Sequence, residues 1–265
     1  MTAAEPGVTA ATAGLRTAFA DGVLRLTIAR PDRMNAIDLD TMRALGAAIT
    51  AAGDDDRVRT IVLTGDGAAF CTGADLAAAG TNPASPDVVM DTANDVVEAI
   101  TTVPVPVVAA VNGPAAGVGV SMAVAADLTY AAESAYFLLA FVNIGLMPDG
   151  GASLLIPAAI GRARAAEMAL LGDRVAAVDA ARFGLVARTL PDDELFGHVD
   201  AVAARTAAGP RRALALTKHA LNAATLPAFG AALDLEKSGQ IELLGSADFA
   251  EGVAAMLQKR RPEFT

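Results

Sequence analysis

The chain has 265 residues, which fits one large domain or one domain with a small appendage. Hydrophobic residues make up 54% of it and the mean hydropathy is +0.44, enough apolar material for a sizeable core and for a subunit interface. A formal charge of −10 argues against a nucleic-acid partner, and the single cysteine, Cys71, excludes an intrachain disulfide and fits a reducing compartment.

The opening stretch MTAAEPGVTAATAG, residues 1–14, lacks the basic and apolar segments of a signal peptide and is expected to be a disordered tail. Val23–Ile28 alternates, with Leu24, Leu26 and Ile28 on one face, and predicts an early strand. Pro31 and Asn35 then impose a loop over 30–36. Asp38 is placed to cap a helix that carries Met42, Leu45 and Ile49 inward and ends at Gly53. Thr60–Thr64 and Val107–Val111 are short apolar runs, predicted as strands buried on both faces. Between them, residues 80–86 read as a mobile surface loop and 88–102 as a helix. A helix over 119–126 and short strands at 128–131 and 135–138 follow. After about Val186 the strands stop, and the pattern is helical over 193–207, 210–222, 227–243 and 247–259. The expected organisation is an α/β core over 15–190 followed by a helical region over 191–265. The longest apolar stretch, 103–126, is broken by prolines, glycines and Asn112, so a soluble, cytoplasmic protein with no membrane partner is expected.

Three segments could carry chemistry. Gly113–Gly119 reads GPAAGVG: a strand turning through glycines into a helix, which leaves unpaired amides able to hold an oxyanion. It lacks the full dinucleotide fingerprint and the P-loop lysine, and a tight turn packed for steric reasons alone is the alternative. Phe70–Leu76, FCTGADL, has the same grammar, and two such turns make a two-donor oxyanion hole reasonable. Cys71 reads as a small buried thiol, because His198 and His219 both fall in the helical C-terminal region; their absence from these segments also argues against a Ser-His-Asp triad or a zinc site. The third segment is Pro148-Asp149-Gly150-Gly151. Its carboxylate, flanked by apolar runs, is either a desolvated acid–base group or the N-cap of a helix over 150–159.

Taken together, these segments resemble the crotonase (enoyl-CoA hydratase/isomerase) superfamily over about residues 15–264. Arg30-Pro31 with Asn35-Ala36 is similar to the family's RP…NA loop, FCTGADL and AAVNGPAAGVGV to its two oxyanion-hole segments, and FGLVARTLP and EGVAAMLQKRRPEF to later signatures. The resemblance implies a spiral of ββα units with a helical C-terminal trimerisation region, and a homotrimer or a hexamer formed as a dimer of trimers. It implies no permanently bound cofactor or metal, with coenzyme A entering as part of an acyl-CoA or enoyl-CoA thioester. The hole amides would be those of Ala74 and Val118, beside Gly117. The adenine pocket would involve the backbone around Met34, Ala36, Thr72, Asp75 and Leu76. Arg33 and Lys259 would meet the CoA phosphates, supplying local positive charge against the global field.

The chain also departs from the pattern. Hydratases of the family carry one glutamate shortly after the second glycine turn and another further on; those positions fall on Ser121 and Phe141 here. Neither residue can activate water or protonate an α-carbon. Asp149 stands where isomerase branches carry an acidic residue, so the expected reaction is a double-bond shift with Asp149 as the base and Phe141 excluding water. The alternatives are a hydratase with atypical catalytic residues or a non-catalytic acyl-CoA-binding protein. A branch acting on halogenated aromatic thioesters is disfavoured by an aromatic content of 4% and no tryptophan.

Overall fold

The computed structural model describes residues 7–12, 14–76 and 84–265. Its main sheet is assembled in the order β1 (Gly7–Thr12), β2 (Leu15–Ala20), β3 (Val23–Ile28), β4 (Thr60–Gly65), β5 (Val107–Val111), β7 (Leu128–Ala132) and β10 (Arg188–Leu190). The first three strands pair antiparallel, and from β3 onward every pairing is parallel. A smaller sheet joins β6 (Ala115–Ala116), β8 (Tyr136–Leu138) and β9 (Val175–Ala176).

Residues 7–12, expected in a disordered tail, form β1 instead, antiparallel to β2 with a shift of register between Thr9 and Thr12. The early strand expected at Val23–Ile28 is β3, and it pairs with β2 as a hairpin. β2 and β3 are joined by Asp21-Gly22, both at positive φ (50° and 81°), which is the backbone of a type I′ two-residue turn.

Every residue of β4 and β5 is buried, as β-branched and apolar runs between parallel neighbours require. Helix α1 (Leu39–Asp54) is capped by the Asp38 carboxylate, which accepts from the Thr41 amide at 2.9 Å. It turns Met42, Leu45 and Ile49 inward and packs on α2 (Pro86–Thr102). Helix α2 begins at Pro86, two residues before the expected start; of the loop predicted over 80–86, residues 80–83 lie outside the described residues. After β5 come α3 (Val118–Ala125), α4 (Ala152–Ile160), α5 (Arg162–Leu171) and α6 (Ala177–Phe183).

From Leu195 onward the chain is helical: α7 (Leu195–Ala207), α8 (Arg211–Thr225), α9 (Phe229–Leu244) and α10 (Ala247–Gln258). Helix α7 lies across β4, β5 and β7. Helix α8 is pinned by Lys218, whose buried ammonium donates to the Ile100 carbonyl at 2.7 Å and pairs with Asp127 at 2.9 Å. Helix α9 packs on α2 within the same chain, and this docking brings it to the site. No helix among the described residues is long and apolar enough to cross a membrane.

Candidate active site

The site is built where β4 and β5 end, at the carboxyl edge of parallel strands where α/β proteins place ligands. The segments leaving the two strands interlock. Cys71 and Ala115 form a parallel bridge, the amides of Phe70 and Cys71 both donate to the Pro114 carbonyl, and the Ala116 amide donates back to Cys71 at 2.9 Å. The approach is so close that a Cβ at Gly119 would run into the Cys71 carbonyl oxygen, and one at Gly113 into that of Ala68. Side-chain amides fix the same loops. Asn35, buried and at φ 55°, donates to the carbonyls of Asp66 and Ala69, and Asn112 donates to that of Gly67.

The turns meet at Gly73 and Gly117. Gly73 sits at φ 94°, and a Cβ placed on Gly117 would lie 3.5 Å from the Gly73 Cα. Each glycine immediately precedes one of the predicted donors. Among the described residues, the amides of Ala74 and Val118 have no hydrogen-bond acceptor, whereas their neighbours do: Asp75 N–H donates to Ile37 and Gly117 N–H to Leu138. Two unpaired N–H groups on adjoining turns can hold a developing oxyanion. Phe141, buried in the 3-10 turn Ala140–Ile144, brings its ring edge toward Gly117 and makes that wall apolar.

Asp149 is not the N-cap of α4. Gly151 takes that position at φ 78°, and the turn through Gly150 (φ 62°) leaves the Asp149 side chain pointing elsewhere. Its Oδ2 accepts from Gln240 Nε2 at 2.8 Å, while Oδ1 is buried with no hydrogen-bond partner among the described residues. Ser121, one turn into α3, donates its hydroxyl to the Asp149 backbone carbonyl at 2.7 Å; this ties the carboxylate's backbone to the helix that starts at Val118. Burial pushes the Asp149 carboxyl up from 3.8 to about 7, with the Gln240 hydrogen bond opposing and the Glu236 carboxylate adding to the rise. A group so poised can both take and return a proton near neutrality.

Glu236 and Gln240 have no counterpart among the sequence-derived candidates. Glu236 is fully buried on α9; Oε2 accepts from the Gly151 amide at 2.6 Å and Oε1 from the Ser153 amide at 2.7 Å. It thus supplies the acceptor for the orphan amides at the start of α4 that Asp149 does not provide. Burial raises its carboxyl, against the pull of those two amides.

The remaining expected residues lie on the 30–36 loop, on the FCTGADL segment and at the end of α10. Arg33 is half-exposed and paired with Asp75 at 2.7 Å, and Arg30 pairs with the other Asp75 oxygen at 2.9 Å. Asp75 is therefore a buried anchor between the 30–36 loop and the FCTGADL segment. Thr72 donates to the Met34 carbonyl at 3.0 Å, Met34 is 43% exposed, and Ala36 donates to Arg33 while its own carbonyl accepts from Arg30. Leu76 donates to the Ala74 carbonyl. Lys259 ends α10 at φ 54°, and its neighbour Arg260 is engaged by Glu251. The Cys71 thiol is buried and pushed up to about 12 by that burial, so it is no nucleophile. His198 lies on α7 against Tyr130, with ring centroids 4.6 Å apart.

The family model described as enoyl-CoA hydratase/isomerase matches residues 18–265. The chain belongs to the enoyl-CoA hydratase/isomerase family. A probable enoyl-CoA hydratase of Rhodobacter capsulatus is 44% identical over 254 residues, covering 95% of this chain and 97% of that one. The 1,2-epoxyphenylacetyl-CoA isomerase of Escherichia coli is 38% identical over 249 residues, covering 92% and 95%. The crystal structure of an enoyl-CoA hydratase from Mycobacterium avium subsp. paratuberculosis superposes with a TM-score of 0.90 at 45% identity, covering 96% of this chain and all of that one. The architecture is that of the crotonase superfamily. Family members with both hydratase and isomerase names stand close to this chain, so membership alone leaves the reaction open.

Proposed function

We propose that the protein shifts the double bond of an enoyl-CoA thioester. Asp149 removes a proton from C2 of a 3-enoyl chain, and the Ala74 and Val118 amides hold the enolate oxygen of the thioester carbonyl. The same carboxyl then returns the proton at C4, giving the 2-enoyl product. The names of relatives similar over most of this chain support a CoA thioester as substrate. In this reading Arg33 and Lys259 would meet the CoA phosphates, and the backbone around Met34, Ala36, Thr72 and Leu76 would meet the adenine.

One observation carries the choice of reaction. Among the described residues, Asp149 Oδ1 is the buried carboxylate oxygen without a hydrogen-bond partner. Hydration needs one group to activate water and another to protonate carbon; an allylic shift needs a single group that does both in turn. Ser121 has its hydroxyl on a backbone carbonyl, Phe141 has none, and Glu236 has both oxygens on amides. Among the described residues, neither Ser121, Phe141 nor Glu236 offers a hydratase reading a second free acid–base group.

The apolar side chains left exposed on the C-terminal helices, Leu221, Leu235 and Leu257 at 60, 69 and 65%, support self-association into a trimer or a dimer of trimers. Paired absorbance assays with trans-3-enoyl-CoA and trans-2-enoyl-CoA test the reaction. Conversion of the first without hydration of the second is the expected result; hydration of the second at comparable rates would overturn the proposal.

A further inference from the structure

We infer that Glu236 and Gln240, one turn apart on α9, are positioning residues that select which oxygen of Asp149 moves the proton. The inference rests on Asp149 being the base, and adds the C-terminal helix to the machinery of the site.

Gln240 uses both ends of its amide, one on the Asp149 carboxylate and one on the backbone before it. Nε2 donates to Asp149 Oδ2 at 2.8 Å, and Oε1 accepts from the Met147 amide at 3.3 Å. The second contact fixes which end of the Gln240 amide faces Asp149, so a donor, not an acceptor, is presented to Oδ2. With Oδ2 occupied, Oδ1 is the oxygen left for chemistry. A carboxylate held in this way cannot rotate to exchange its oxygens, so the atom that takes the proton from one carbon is the atom that returns it to the other.

Glu236 works on the backbone beneath. Its two oxygens bind the Gly151 and Ser153 amides, closing the turn that carries Asp149. Gly150 and Gly151, both at positive φ, would otherwise leave this turn loose. Helix α9 is an i, i+4 pair of clamps on one loop, and Glu236 and Gln240 are buried polar groups on a helix that is otherwise exposed over much of its length.

The two residues act on the charge of Asp149 in opposite directions. The Gln240 hydrogen bond favours the carboxylate, whereas the Glu236 anion opposes it. Among the described residues, the side chains nearest Gly150 and Gly151 are uncharged: Ser121 from α3, Val97 from α2, Leu155 from α4 and the Phe229 ring from the start of α9. Opposite signs give a test that a merely structural role cannot imitate.

The experiment is a carbon-13 NMR titration of the Asp149 carboxyl in the full chain, assigned by its loss in Asp149→Asn, for wild type, Gln240→Met and Glu236→Gln. Gln240→Met keeps the volume and removes the donor, and its titration should move up by roughly one pH unit, since a hydrogen bond to a charged group contributes about that much. Glu236→Gln should move it down. In turnover, Gln240→Met should lower kcat by roughly ten- to a hundredfold with little change in KM, because the base is present but misaimed. An unmoved Asp149 titration in Gln240→Met overturns the inference, whatever the behaviour of the Glu236 variant. Opposite shifts in a protein whose turnover is indifferent to Asp149→Asn would uphold the clamps and overturn the base.

Discussion

Asp149 is a carboxyl held in the wrong solvent. Burial raises it from 3.8 to about 7, so proton abstraction needs a form that is only half populated at neutrality. The kcat/KM for isomerisation should therefore fall tenfold per pH unit below about 7, a limb absent if the base were an ordinary exposed aspartate. Stability carries the same signature with a fixed sign. Because the folded value is raised, the contribution of Asp149 to folding is fully present below the unfolded value and is lost as pH rises through about 7. Asp149→Asn removes that loss. Its melting temperature should gain on wild type between pH 5 and 8, by a free energy of about 3 kcal/mol; a difference independent of pH would contradict the burial argument. Much of this was legible in the sequence, since a carboxylate between apolar runs and followed by two glycines is expected to be desolvated. Its competing role as an N-cap could be resolved only by the backbone, where positive φ at Gly150 and Gly151 passes the cap to Gly151. Gln240, ninety-one residues away, left no local signal.

At the level of elements, the two glycine turns act as one object. Gly117 shows why: its φ of 53° and ψ of −132° suit glycine alone, although a Cβ would meet only ordinary contacts at 3.5 and 3.8 Å. Gly117→Ala is thus strained by conformation, not by crowding, at a cost of about 1–3 kcal/mol. Relief of that strain should turn the Val118 amide, lowering kcat by about 100-fold or more while thermal unfolding shifts by only a few degrees. Retention of full activity would separate the amide from the chemistry. Both turns were readable from their glycines and the buried strands before them. The β2–β3 hairpin carries one strong local signal, the I′ turn Asp21-Gly22, but Ala and Thr in Leu15–Ala20 alternate too weakly to reveal its first strand. The first strand, β1, was hidden for the same reason, in a small, polar stretch.

Across the whole molecule, the helical C-terminal region completes the site and does not merely follow it. Helix α9 supplies the clamps on Asp149, and α8 is fastened to the sheet by Lys218. The Lys218–Asp127 pair is held against solvation: burial lowers the lysine and raises the aspartate, more than their attraction compensates. Removing one partner is therefore worse than lacking both. Lys218→Met should destabilise the fold by about 3–5 kcal/mol in chemical denaturation, and Lys218→Met with Asp127→Asn by less. Equal losses would show that the Asp127 charge left unpaired carries no cost of its own. The boundary near residue 190 was visible as the end of strand patterning, but the direction in which the helices fold back was not. That depends on packing between α9 and α2, whose contacts join residues far apart in the chain.

The most direct test of the central claim is the turnover of trans-3-enoyl-CoA by Asp149→Asn, with acyl-CoA binding measured on the same preparation. Asparagine keeps the shape and the Gln240 contact and removes the base. A loss of about 100-fold or more in kcat with binding unchanged is the expected result. Turnover within a few-fold of wild type would show that another group moves the proton.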